Sequence, residues 1–93
     1  MLKLEVEFLG IARSLAKAKM ASVLLPEDAS YRKLLSILAH KFPSLLGTVI
    51  VPDSFDLVPS YILNVEGRQV ITDLDKPVQD GQRVLLMFAE AGG

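Results

Sequence analysis

The sequence has no cysteine and no tryptophan, and its one histidine is His40. Without cysteine there are no disulfides, thiolate metal sites, iron–sulfur clusters or thiol nucleophiles, and a lone histidine cannot build a multi-histidine metal site. Charge of one sign is also missing. The formal net charge is −1 with 23% charged residues, so no basic surplus is available to neutralise phosphates or hold an anionic membrane. No apolar run approaches the roughly 20 residues a bilayer span needs. Met1-Leu2-Lys3 leads straight into an alternating pattern and not into a signal-peptide core, so the expectation is an unprocessed cytoplasmic chain. Gly10, Gly47, Gly67 and Gly81 stand singly, matching neither a P-loop nor a dinucleotide fingerprint.

What remains is 93 residues, 51% of them hydrophobic, enough for one core. Leu2, Leu4, Val6 and Phe8 alternate with Lys3, Glu5 and Glu7, the period-two signature of a strand with one buried face. A polar and alanine-rich stretch, Ile11 to Lys19, separates this strand from Met20–Leu25, which closes at Pro26 and fits a second strand returning as a hairpin. Ser30 then precedes Tyr31, Leu34, Leu35, Leu38 and Phe42, the spacing of an amphipathic helix with a hydroxyl cap. Pro43 ends it by Phe42, with Lys41 at the negative end of the helix dipole. Lys33 stands where a capping box would place Glu or Gln.

The stretch Gly47–Ser60 is compatible with a small hairpin or an irregular excursion. Tyr61–Val65, a Glu66-Gly67 turn and Arg68–Thr72 read as a second hairpin, and Arg83–Phe88 as a last strand after Asp80-Gly81. A ββαββ chain of this size buries its helix stripe by laying it across one face of a mixed sheet whose first and last strands run parallel in the middle. The expected fold is therefore α+β, the ubiquitin-like β-grasp, over residues 1–88, with a flexible tail over 89–93.

Catalytic pairs are hard to find. Asp73 with Asp75, and Glu27 with Asp28, are ordinary solvated turn formers, and His40 reads as a surface residue favoured by the helix dipole. Arg13, Lys17, Lys19, Arg32, Lys33 and Lys41 read as wet surface. The terminus Ala89-Glu90-Ala91-Gly92-Gly93 differs. At about 7% glycine, a terminal pair arises by chance in about one chain in 200. Two glycines give a thread without side chains and an unhindered carboxylate, and five extended residues reach about 17 Å, enough to enter a narrow pocket on another protein. A carboxylate becomes an acyl donor once adenylated by ATP; a sulfur nucleophile then gives a thiocarboxylate, an amine an amide. Nothing in this chain binds ATP or supplies sulfur, so a partner must do both.

Such a partner needs a surface. On the last strand Val84, Leu86 and Phe88 share one face, expected to be the core, which turns Leu85 and Met87 outward beside Arg83. On the first strand the outward row Lys3, Glu5, Glu7 ends in Leu9. With the two strands parallel, Leu9 and Met87 meet at the end from which the tail departs, and Ile71 is a candidate third member of an apolar docking patch.

The order Phe8-Leu9-Gly10-Ile11-Ala12-Arg13-Ser14-Leu15, Leu34-Leu35 through Phe42-Pro43, Asn64-Val65-Glu66-Gly67, Leu74-Asp75-Lys76-Pro77-Val78-Gln79-Asp80-Gly81 and terminal Gly92-Gly93 resembles the sulfur-carrier branch of ubiquitin-like proteins. That branch comprises the molybdopterin synthase small subunit, its thiamine-pathway relatives and the archaeal small modifiers. The resemblance implies that Gly93 is adenylated by a ubiquitin-activating-type enzyme and converted to a thiocarboxylate. Gly93 is then inserted into the molybdopterin synthase large subunit to donate sulfur for molybdenum or tungsten cofactor, with Gly92 as the slim approach. It implies no bound cofactor, ATP being used by the activating partner, and partner contacts at Leu9, Ile71, Leu85, Met87, Phe88, Ala89, Glu90 and Ala91. Two departures stand out: Phe88-Ala89-Glu90-Ala91 replaces the usual Pro-Pro-Val, and Gly47–Ser60 is longer than in compact members. The alternatives are a protein modifier forming isopeptides through Gly93, a sulfur carrier for thiamine or tRNA thiolation, and a non-covalent binding module with an incidental tail.

Overall fold

The computed structural model describes residues 1–89; the expectations for Glu90, Ala91, Gly92 and Gly93 lie outside the described residues. The alternating segment forms β1 (Leu2–Phe8), with Leu4, Val6 and Phe8 fully buried. The chain then turns at Gly10, whose φ of 59° lies in the left-handed region that a side chain disfavours. It next makes a six-residue helix, α1 (Ile11–Ala16), that the sequence reading took for a polar connector. Ala12 is its fully buried residue, and Lys17, left-handed at φ 56°, ends it by donating its N–H to Arg13 O. β2 (Met20–Leu25) returns antiparallel to β1.

Helix α2 (Tyr31–Lys41) starts where Ser30 Oγ accepts the Lys33 N–H at 3.1 Å. Its stripe of Tyr31, Leu34, Leu35 and Leu38 is buried; Pro43 ends it after the cap residue Phe42, which is in non-helical geometry and whose ring meets Phe8 edge-on, ring centres 5.2 Å apart. A short 3-10 turn, Pro43–Leu45, follows. The excursion beyond it is irregular but anchored: Val49 and Ile50 are fully buried, and isolated bridges tie Leu46 to Ile50 and Ile50 to Leu57.

One cation fastens this excursion. Arg32, on the first turn of α2, donates to Asp56, to Ser54 O at 3.0 Å and to Asp75 at 2.9 Å. Its hydrogen bonds hold both carboxyl groups below the ordinary carboxylate range, and they keep the guanidinium charged. Arg32 is thus a clasp and not the wet surface expected of it; Arg13, too, is partly buried, donating to Phe8 O at 3.1 Å. His40 is exposed, with Nδ1 2.8 Å from Ser36 O.

The second hairpin pairs β3 (Tyr61–Val65) with β4, which spans only Gln69–Val70. Its turn uses Glu66 and Gly67 at φ 58° and 71°, the double left-handed geometry of a tight hairpin. The strand expected to continue to Thr72 stops early because the next segment caps α2. Leu74 O accepts from Arg32 N–H at 2.8 Å, and Lys76 O from Tyr31 N–H at 3.1 Å, satisfying amides that the helix leaves free. β5 (Arg83–Phe88) completes a five-stranded sheet of order β2-β1-β5-β3-β4, with β5 parallel to β1 and antiparallel to β3. This is the β-grasp, with α2 packed across one face and Leu4, Val6, Phe8, Leu63, Val84 and Leu86 beneath it at zero exposure. Among the described residues no helix is long and apolar enough to cross a membrane.

Candidate functional site

The sheet face opposite α2 is built from the residues that the alternation leaves over. Parallel pairing places Glu5 beside Arg83 and Glu7 beside Leu85; one step further, Leu9 donates its N–H to Leu86 O at 3.1 Å and stands beside Met87. The β3 register adds Ile62 opposite Met87 and Asn64 opposite Leu85, and β4 adds Val70 opposite Asn64. On the other side Met20 lies opposite Glu7. Two rows result: Leu9, Met87 and Ile62 at the tail end, and Met20, Glu7, Leu85, Asn64 and Val70 below it.

The one charge inside this apolar band is restrained. Glu7 is bonded to Arg83, with its side chain 19% exposed against 56% for the arginine, and this contact raises the Arg83 pKa, keeping the guanidinium charged. Arg83 N–H also donates to Glu66 Oε1 at 2.8 Å. Glu7, Glu66, Gly67, Arg83 and Leu85 line a shallow depression of about 260 Å³. Beside it, Asn64 Oδ1 is buried without a hydrogen-bond partner among the described residues.

At the tail end, Ala89 N–H donates to Ser60 O at 2.7 Å, extending the β3–β5 pairing by one residue beyond Tyr61 and Phe88. The Tyr61 and Phe88 rings meet edge-on with centres 5.4 Å apart. β5 is therefore paired with β1 as far as Leu86 and with β3 as far as Ala89, and Ala89 stands at the Leu9, Met87 and Ile62 end of the open face.

Leu9, Leu85 and Met87 lie on the open face, as the alternation required, and Ala89 lies at the tail root. Two expectations need correction. Phe88 shares the parity of Val84 and Leu86 but is 48% exposed, because it stands at the rim beyond the buried Leu86, where its ring meets Tyr61 edge-on. Ile71 belongs to the inner face: its N–H bonds Leu63 O at 2.9 Å and its side chain packs against the core, so Val70, 45% exposed, takes the outward place. The sequence reading missed Ile62 and Val70, which follow once the register of the second hairpin is known. It also missed Ile11, 51% exposed at the start of α1.

A larger cavity of about 350 Å³ lies away from this face, between the end of α2 and the excursion, lined by Ala39, His40, Pro43, Leu46, Pro52, Asp53 and Phe55. It holds no nucleophile with an adjacent base. Among the described residues no group of three His, Asp or Glu could hold a metal ion.

No protein-family profile and no curated protein sequence matches the chain. Solved structures do. Small archaeal modifier protein 1 from Haloferax volcanii superposes with a TM-score of 0.82 at 20% identity, covering 98% of this chain and 99% of that one. A molybdopterin converting factor subunit 1 from Pyrococcus furiosus superposes at 0.78 with 23% identity, covering 97% and 100%. The complex of subunits 1 and 2 of the molybdopterin-converting factor from Helicobacter pylori gives 0.63 at 20% identity, covering 99% and 100%. At such identities the likeness is one of fold, and the chain has the ubiquitin-like β-grasp fold of these small modifier and molybdopterin-converting proteins along nearly its whole length.

Proposed function

We propose that this chain is a sulfur carrier whose C-terminal Gly93 is adenylated by a partner enzyme and converted to a thiocarboxylate. In the first step a Gly93 carboxylate oxygen attacks the α-phosphorus of ATP and pyrophosphate leaves; in the second, hydrosulfide supplied by the partner system attacks the acyl carbon, AMP leaves, and loss of the S–H proton gives the thiocarboxylate. The chain supplies the carboxylate and the handle. The carbonyl of Ser60 and the pairing of β5 fix where the tail begins, and Leu9, Met87, Ile62 and Leu85 offer apolar area to whichever protein receives it.

The observation that carries this reading is the position of the tail root: Ala89, hydrogen-bonded to Ser60, stands at the edge of an apolar band. The Helicobacter pylori complex, in which subunit 1 is joined to subunit 2, supports a synthase large subunit as the acceptor, and with it sulfur transfer to molybdenum or tungsten cofactor. The likeness to small archaeal modifier protein 1 favours a second use, isopeptide formation between Gly93 and target lysines, which needs the same activation.

Intact mass after incubation with an activating enzyme, ATP and a sulfur donor tests the reading. The expected product is heavier by the exchange of one oxygen for sulfur, and a chain lacking Gly92 and Gly93 gives none. Products consisting only of lysine adducts would leave the modifier reading and remove the cofactor one.

A further inference from the structure

The larger cavity is walled on one side by a loop that its own hydrogen bonds fix. Val51 N–H donates to Asp56 O at 2.8 Å and Phe55 N–H to Val51 O at 3.0 Å, closing residues 51–56 on themselves, and Arg32 clamps the loop through Ser54 O and Asp56. Inside it Asp53 and Phe55 hold left-handed backbone at φ 69° and 56°, a conformation that a bulky residue such as phenylalanine rarely takes. Such strain persists only where surrounding bonds impose it, and it gathers at ligand sites. Arg32, Ser36 and His40 follow at four-residue steps along α2. The ridge that anchors the loop at Arg32 therefore becomes the cavity wall at His40.

At about 350 Å³ the cavity lies in the size range of small-molecule clefts. Pro43, Leu46, Pro52 and Phe55 make its walls apolar, and its two polar side chains, His40 and Asp53, both offer acceptors. His40 Nδ1 lies 2.8 Å from Ser36 O; a carbonyl only accepts, so Nδ1 carries the ring proton and the neutral imidazole keeps its lone pair on Nε2. Asp53 has no salt bridge among the described residues, Arg32 being taken by Asp56 and Asp75. The negative end of the α2 dipole falls at the same place, since His40 and Lys41 form its last turn. Lys41 itself turns away, with Nζ 3.4 Å from Ser22 O.

We propose that this cavity binds a small molecule that carries a protonated amine on an apolar or aromatic body. The Asp53 carboxylate and His40 Nε2 receive the ammonium hydrogens, while Pro43, Leu46, Pro52 and Phe55 cover the body. An anion of the same shape meets like charge at Asp53 and at the helix terminus, so the site selects by repulsion as well as by attraction. The cavity is separate from the open sheet face, and its occupancy does not depend on the sulfur-carrier reading.

The test titrates the full chain, isotopically labelled and at neutral pH, with tryptamine and in parallel with indolepropionate, which has a carboxylate in place of the ammonium. The expected result is saturable shifts of the Ala39, His40, Leu46, Asp53 and Phe55 amide signals with tryptamine and none with indolepropionate. Asp53→Asn keeps the side-chain shape and tolerates left-handed backbone; it should weaken tryptamine binding by about fivefold. Should that variant misfold, the two probes still decide on the parent chain. Equal binding of both probes, unchanged affinity in a folded Asp53→Asn chain, signals centred on Leu85 and Met87, or no shifts at all would each overturn the proposal. Tighter binding of a Trp-Lys dipeptide than of tryptamine would assign the cavity to a protein side chain and overturn the small-molecule assignment.

Discussion

The two faces of the sheet are made by the same strands and differ only in residue parity. Under α2, Leu4, Val6, Phe8, Leu63, Val84 and Leu86 reach zero exposure; on the other face, Leu9, Ile62, Leu85 and Met87 are partly exposed, with Glu7 tethered by Arg83 among them. One face supplies stability, and the other leaves apolar area uncovered at the end where the tail begins. Parity thus divides fold from function within one strand: in β5, neighbouring Leu86 and Met87 serve different ends.

Substitutions across that division should separate by size. Leu86→Ala, on the inner face, should cost about 2–5 kcal/mol, read as a lowered denaturant midpoint, whereas a loss under about 1 kcal/mol would mean the core does not close over β5. Phe88→Ala tests the rim: half exposed and touching Tyr61, it should cost about 1 kcal/mol, well short of the penalty for a buried phenylalanine. Smaller still is the acid response of the Arg32 clasp. Asp56 and Asp75 have folded-state pKa values below their unfolded ones, so their contribution is present above the unfolded carboxylate pKa and is lost as pH falls through the folded values. Acid unfolding curves of Arg32→Gln and the parent should therefore differ at neutral pH and converge in acid; a constant offset would show that the clasp does not titrate. Last, Met87→Glu and Leu9→Glu should change stability by about 0.5 kcal/mol or less and weaken binding to an activating enzyme or large subunit. Unfolding of either variant would mean the faces are assigned in reverse.

How far the sequence discloses this arrangement varies with the range of the interactions involved. Alternation in Leu2–Phe8 and the i, i+3, i+4 spacing after Ser30 are local signals backed by burial, and the β-grasp order follows from them. α1 escapes because a six-residue helix is too short for periodicity to speak. β4 ends early for a reason spelled nowhere nearby: Leu74 and Lys76 lend their carbonyls to α2. Ile71 and Val70 exchange roles because a single step of register reverses a strand's faces. Phe88 has the right parity but stands at the rim beyond Leu86. The Arg32 clasp joins residues 24 and 43 positions apart, which no local pattern reports. On the open face, Leu9, Leu85 and Met87 were legible from alternation alone, whereas Ile62 needed the β3–β5 pairing.

The parallel alignment of β1 and β5 also settles where attachments can be made. Because both central strands run the same way, Met1 and the tail root sit at opposite ends of the sheet, separated by the length of β1, about 23 Å at the usual rise per residue. An affinity handle or fluorophore joined ahead of Met1 is thereby kept clear of the tail root at Ala89, while the same label joined behind Gly93 would occupy the carboxyl group itself.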